Sequence, residues 1–203
     1  LAAMKTIMVY TPKGGASKST LVRELAVCFA QRGDRVAIKD LDPQLTTTTW
    51  YQRREAESPA VVPADAPSKA IAANADYLFI DTPPGVGAAN ILGDQKSDLI
   101  LVPVRPSPDD LGSALSIVEL LGKRNWVFVL TQTPPRARLN GEAARVLAAQ
   151  GRLAPVNIGF RVDYPSASIA GEAACEYAST KAAKEINELA DCVKKYLVKK
   201  LDS

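Results

Sequence analysis

Histidine is absent from the 203 residues. Its absence removes every mechanism built on an imidazole, including Ser-His-Asp and Cys-His nucleophilic catalysis and His-ligated metal chemistry. Cysteine is scarce: Cys28, Cys175 and Cys192 are odd in number, far apart and without histidine partners, so neither a disulfide framework nor a zinc site is expected. Long apolar runs are also missing. Leu99 to Val104 and Val127 to Leu130 fall far short of the ~20 residues that cross a bilayer, and no leader pattern opens the chain, so a cytosolic protein is expected. Leu1-Ala2-Ala3 ahead of Met4 reads as a cloning scar, which leaves residues 4–203 as a single expected domain. Net charge is only +3, but residues 123–161 form a basic island with seven basic side chains and one acidic one. Such a block attracts polyanions locally, or is an ordinary solvated face.

What is present is the material of a globular core, with 47% hydrophobic and 23% charged residues. Short β-rich runs at Thr6 to Tyr10, Arg35 to Ile38, Tyr77 to Ile80, Leu99 to Val104, Trp126 to Leu130 and Val156 to Phe160 read as buried strands. Between them, Ser19 to Gln31, Leu111 to Leu121 and Ala143 to Ala149 carry helical spacing, the latter two closed by Gly122 and Gly151. Pro59 to Pro67 reads as a connecting loop with one short edge strand. Parallel strands need crossover helices on both faces, so this rhythm predicts an α/β fold: a single doubly wound, mostly parallel sheet with helices on both faces.

Directly after the first strand comes Lys13-Gly14-Gly15-Ala16-Ser17-Lys18-Ser19-Thr20, followed at once by a strongly patterned helix. Glycines let backbone amides turn inward, the helix start adds its positive dipole end, Lys18 can reach terminal phosphates and Ser19 can place a hydroxyl on Mg²⁺. The strict pattern G-x-x-x-x-G-K-[ST] is not met, because Pro12 and Ser17 stand where it has glycines. A solvated Gly-Gly turn is the plainer reading of the loop taken alone. Asp40 and Asp42 at the end of the second strand and Asp81 at the end of a later one add carboxylates at the carboxyl ends of parallel strands, where open α/β sheets bind ligands. Capping of the next helix is the alternative reading for any single one of these acids.

Lys13-Gly14-Gly15-x-x-Lys18-Ser19-Thr20, Asp40-x-Asp42-Pro43-Gln44 and Asp81-Thr82-Pro83-Pro84 together resemble the deviant Walker A, switch I and Walker B segments of the ParA/MinD family of P-loop ATPases. The likeness runs from Met4 through Ser97 to Val104 and Arg161 to Tyr164 to a terminal helix from Lys181, and is nearest to short ParA-type partition proteins. The resemblance implies ATP and Mg²⁺ as cofactors, with slow hydrolysis to ADP and phosphate. It implies Lys13, Gly14, Gly15, Ala16, Ser17, Lys18, Ser19, Thr20 and Gln132 around the nucleotide. Ser19, Asp40, Asp42 and Asp81 fall around the metal and its water shell, and Lys13, Lys18, Asp42 and Asp81 carry the catalysis. Lys13 would reach across a nucleotide-sandwich homodimer, and Asp42 would orient the attacking water. Gly85 and Gly87 would let the loop after the third segment move. Ser17 replaces a usual glycine, and a positive φ there would strain it by ~1 kcal/mol or more.

The same resemblance implies nonspecific binding to nucleoid DNA by the ATP dimer. The basic candidates are Arg136, Arg138 and Arg152 in the island and Lys194, Lys195, Lys199 and Lys200 on the terminal helix. A ParB-like or other adaptor would stimulate hydrolysis, and plasmid or chromosome partition would be the task. Positioning of a protein cargo such as a carboxysome or chemoreceptor cluster, and a nucleotide-gated switch with negligible hydrolysis, stand as alternatives. The terminal helix reads as continuous from about Thr180 with no flexible linker, which favours DNA over a membrane.

Overall fold

The computed structural model describes residues 3–85, 89–136 and 138–198. Its centre is a six-stranded parallel sheet in the order β3-β2-β4-β1-β5-β6. The strands are β1 (Lys5–Val9), β2 (Val36–Asp40), β3 (Ala60–Val62), β4 (Tyr77–Asp81), β5 (Leu99–Val104) and β6 (Trp126–Leu130). Strand β1 lies between β4 and β5, with Val9 opposite Asp81 on one side and Leu101 on the other. Strand β2 pairs with β4 so that Asp40 stands opposite Asp81. The register therefore collects the loop after β1 and both strand-end acids at one end of the sheet. The expected proline-flanked edge strand is β3, paired only to β2.

Period-two alternation divides the core between the two faces. Ile7, Val9, Ile38 and Phe79 point to one side, under α1 (Lys18–Gln31) and the C-terminal helix, while Met8, Tyr10, Leu78 and Ile80 point to the other. Helix α1 buries Leu21, Val22, Leu25 and Phe29 completely. At ~1.5–3 kcal/mol for each large apolar side chain, this burial holds the helix, and hence the loop before it, against the sheet. The short helices α2 (Thr46–Tyr51), α3 (Ser68–Ala72) and α4 (Ala89–Asp94) follow β2, β3 and β4.

The stretch expected as one helix over Leu111 to Leu121 is two, α5 (Pro108–Leu115) and α6 (Val118–Leu121). Ser116 donates its hydroxyl back to the Ser113 carbonyl at 2.8 Å where the first ends, a local bond that competes with helix continuation. Ser107 caps α5, with Pro108 at its first position. Helix α7 (Arg138–Ala148) begins earlier than expected.

The expected strand at Val156 to Phe160 is not a strand. It runs along the β6 edge with an isolated bridge from Thr133 to Gly159, preceded by another from Phe128 to Leu153, and between the two Pro155 withholds an amide from that edge. Helix α8 (Asp163–Ile169), a 3₁₀ turn (Ala174–Glu176) and α9 (Lys181–Val198) complete the chain. Gly171, with φ +73°, lets the chain after α8 touch the segment after α2: a Cβ there would lie 2.4 Å from the backbone of Arg53 and Arg54. Among the described residues no helix is long and apolar enough to cross a membrane.

Candidate nucleotide-binding site

The loop leaving the central strand is anchored on both sides. The Gly85 amide donates to the Pro12 carbonyl at 2.8 Å, and the Thr82 hydroxyl to the Val9 carbonyl at 2.8 Å. Gly15 (φ +73°) and Ser17 (φ +69°) turn the chain through the left-handed region before α1 begins at Lys18. The Lys18 side chain is buried and curls back so that Nζ donates to the Lys13 carbonyl at 3.2 Å. Burial lowers the Lys18 pKa, while Asp81 and Asp42 pull it back up. A lysine arched over a glycine loop at a helix N-terminus supplies fixed positive potential to an anion.

Ser17 does adopt the positive φ that its residue type disfavours. A side chain that the resemblance placed around the nucleotide meets it: Gln132 Nε2 donates to the Gly15 carbonyl at 2.6 Å and to Ser17 Oγ at 2.9 Å. Gln132 is itself left-handed at φ +50°. Two residues in costly conformations thus hold one another. A serine offers the acceptor that a glycine lacks.

The acids separate by environment. Asp81 is fully buried and accepts from Thr47 Oγ1 at 2.7 Å through Oδ2, while its Oδ1 has no hydrogen-bond partner. Burial pushes its pKa up to about 6 against the pull of the Thr47 and Ser19 hydroxyls. Asp40 is committed to the following helix: Oδ1 accepts from the Asp42 amide at 3.1 Å, and Oδ2 from the Thr48 amide and hydroxyl at 2.9 and 3.0 Å. Asp42 stands half-exposed on the cleft wall and accepts from the Gln44 amide at 2.9 Å.

An unpartnered buried carboxylate oxygen beside Ser19 is a hard-oxygen set that fits Mg²⁺, which uses one or two protein oxygens and completes its shell with phosphates and water. No cluster of three or more His, Cys, Asp or Glu side chains suited to a metal occurs among the described residues. Thr47 was not foreseen as a partner. The run Thr46 to Thr49 was the visible signal, but nothing local indicates which hydroxyl turns inward.

The cleft formed by these parts has a volume of about 370 Å³ and includes Gly14, Gly15, Lys18, Ser19, Asp42 and Pro84 in its lining. A smaller hollow of about 200 Å³ adjoins it at Ser17, Thr20 and Gln132, walled by Ile158, Phe160 and Tyr164. Ala16 is buried beneath the loop, where its carbonyl accepts from Thr131 Oγ1 at 3.3 Å. Lys13 lies half-exposed at the loop entrance.

The basic candidates do not form one surface. Arg136 and Arg138 are exposed after the carboxyl end of β6, at the cleft end of the sheet, with Arg138 paired to Glu142 at 2.9 Å. Arg152 lies at the opposite end, bonded to Asn125 ahead of β6 and 5.0 Å from the Tyr196 ring centre. Lys194 is also at that far end, paired to Asp34 at 2.6 Å, and Lys195 follows it, exposed. Lys199, Lys200 and Gly87 lie outside the described residues. The island's Arg161 is held by Glu185.

A parallel sheet whose first strand feeds a glycine loop, a helix N-terminus and facing carboxylates at its topological switch point defines a P-loop nucleotide-binding domain. The chain belongs to the CobQ/CobB/MinD/ParA nucleotide-binding domain family, whose model matches residues 7–201. It is 28% identical to the maintenance of carboxysome distribution protein A of Halothiobacillus neapolitanus, over 91% of this chain and 94% of that protein. It is 30% identical to a probable plasmid-partitioning protein ParA of Thermus thermophilus, over 75% of this chain and 44% of that one. The fold also matches the septum site-determining protein MinD of Pyrococcus horikoshii, solved with Mg-ADP. The TM-score is 0.77 at 17% identity, covering 98% of this chain and 100% of that one.

Proposed function

We propose that this chain is a ParA-type positioning ATPase that binds ATP and Mg²⁺, pairs with a second copy through the bound nucleotide, binds DNA without sequence preference and drives plasmid or chromosome partition. The observation that carries the reading is the meeting of Lys18, arched over the Gly14-Gly15 loop, with the buried Asp81 whose Oδ1 lacks a partner. Amides of residues 14 to 19 and the Lys18 ammonium would bind the phosphates. Ser19 and Asp81 would hold Mg²⁺, which when bound offsets charge on the phosphate oxygens.

Lys13, unlike Lys18, is half-exposed at the rim and is the residue suited to reach a nucleotide held by a partner copy. Asp42, half-exposed on the cleft wall, would position the attacking water. Exposed Phe160, Val162 and Ile169 beside the cleft support its being covered by a second copy. A cytoplasmic, nucleoid-associated location and an adaptor that stimulates slow hydrolysis complete the proposal.

The test is Lys13→Ala. It is expected to keep the fold by circular dichroism, to abolish the ATP-dependent doubling of mass in light scattering, and to lower turnover by about 10²-fold or more, the range for losing one transition-state donor. Unchanged mass and turnover would overturn the trans role. A second reading, positioning of a protein cargo, is favoured by the similarity to the carboxysome-distribution protein over nearly all of both chains.

A further inference from the structure

Beside the nucleotide cleft lies a larger hollow of about 700 Å³, bounded by α1, α2 with the residues just after it, and α8. Thr20, Arg23, Gln44 and Thr46 line both spaces, so the two are continuous. The hollow presents the guanidinium groups of Arg23 and Arg53 and the threonines 20, 46 and 49, and none of its lining residues is acidic.

Arg23 is the unusual member. Its side chain is half-buried against the Trp50 ring, 5.9 Å from the ring centre, and it makes no hydrogen bond or ion pair among the described residues. Three acids attract it without bonding to it: Asp81, Glu24, which accepts from the amides of Ala174 and Cys175, and Asp40, which accepts from Asp42 and Thr48. Arg53 lies near enough to repel it, and donates one bond, from Nη2 to the Ser168 carbonyl at 3.1 Å. Two guanidinium groups, one half-buried and one exposed, that repel across a hydroxyl-lined hollow are relieved by an anion between them. The walls are firm. Arg54 is locked to Glu176 and to the Gly171 carbonyl, and Gly171 is pressed against the Arg53 backbone. Arginine forks match phosphoryl oxygens in geometry as well as charge.

We propose that this hollow is a second anion site, in which Arg23 and Arg53 receive a phosphoryl group next to the bound nucleotide. Orthophosphate released in the adjoining cleft is the nearest source, a point that rests on the proposed ATPase reading; the phosphate of a small phosphomonoester is the other. Through Gln44 and Thr46 an occupant would touch the segment that carries Asp42, so it would report on, and hold, the state left by hydrolysis.

The test is calorimetric titration of the full chain, saturated with ADP and Mg²⁺, by orthophosphate and separately by ribose 5-phosphate, for the wild type, Arg53→Gln and Arg23→Met. Arg53 lies outside the lining of the nucleotide cleft, so ADP binding is expected to stay within about twofold in Arg53→Gln while phosphate binding weakens at least about tenfold, the scale of one lost charge-assisted hydrogen bond. Arg23→Met is expected to show the same loss, and if it fails to fold Arg53→Gln decides. Orthophosphate binding alone names the departing product as the source, and tighter binding of the ester names a phosphorylated metabolite. The site is overturned if neither probe binds the ADP-loaded protein, or if both bind Arg53→Gln as well as the wild type. Failure of ADP itself to bind would sink the nucleotide reading instead, and the same phosphate titrations on the unliganded protein would then decide the second site.

Discussion

Ser17 occupies a backbone conformation that costs an L-residue ~1–2 kcal/mol, and it does so at the tightest point of the phosphate loop. The compensation comes from a residue 115 positions away, since Gln132 bonds the serine hydroxyl and the Gly15 carbonyl together. Gln132→Ala is expected to weaken ADP binding by about 1 kcal/mol in the natural background. In Ser17→Gly, where the strain and one of the two acceptors are gone, it should weaken binding by about half that. Titration of a fluorescent ADP analogue against the four members of the cycle measures the coupling, and equal losses in both backgrounds would show that the pair does not act as a unit. The loop itself was legible in the sequence because its chemistry is local. The clasp was not, because no spacing rule relates residue 17 to residue 132.

At the scale of elements, α1 joins the phosphate loop to the C-terminal part of the chain through one buried acid. Glu24 accepts from the Ala174 and Cys175 amides at 2.8 and 3.0 Å, capping the 3₁₀ turn, and burial pushes its pKa up to about 7 in spite of those bonds and of Arg23. Its folded value thus lies above its ordinary 4.5. The native state holds a proton that the unfolded chain releases, so this stability is full below about pH 4.5 and is lost as pH rises through about 7. Asp81, raised to about 6, acts with the same sign.

The nucleotide-free protein is therefore expected to lose roughly 4 kcal/mol of stability, more than half of it through Glu24, and so to melt at lower temperature, as pH goes from about 5 to about 8, with a shallower slope in Glu24→Gln. Thermal melts across that window check it; an identical slope in the variant would assign the dependence to other groups. Element boundaries read from periodicity failed where one local bond intervened, as at Ser116, or where a proline withheld an amide from the sheet edge, as at Pro155. Strands β1, β4, β5 and β6 were legible because a strand buried on both faces leaves an unbroken apolar run.

Over the whole molecule, the basic side chains that sequence proximity grouped together stand at opposite ends of the sheet. Pairing of two copies through their nucleotides would bring the cleft ends together and leave the far ends apart. Arg136→Glu with Arg138→Glu is accordingly expected to weaken nonspecific DNA binding at least about tenfold with ATP, and to reduce the salt slope by about two. Lys195→Glu, at the far end, should lower binding by a smaller factor that is the same with ADP and ATP. Gel shifts across a salt series distinguish the two. Loss confined to Lys195→Glu would move the DNA surface to the far end.

The sequence by itself determined the α/β sheet, the glycine loop with its two lysines and the acids at the strand ends, because apolar period, glycine placement and strand-end position are properties of neighbouring residues. Only the tertiary structure decided that Asp81 is the buried acid with a vacant oxygen, that Asp40 caps α2, that Gln132 clasps Ser17, and that Arg23 faces a hollow with Arg53. Each of these depends on which distant segments the sheet order brings within 3 Å or shields from water, and burial and hydrogen bonding, rather than residue type, set what a charged side chain can do.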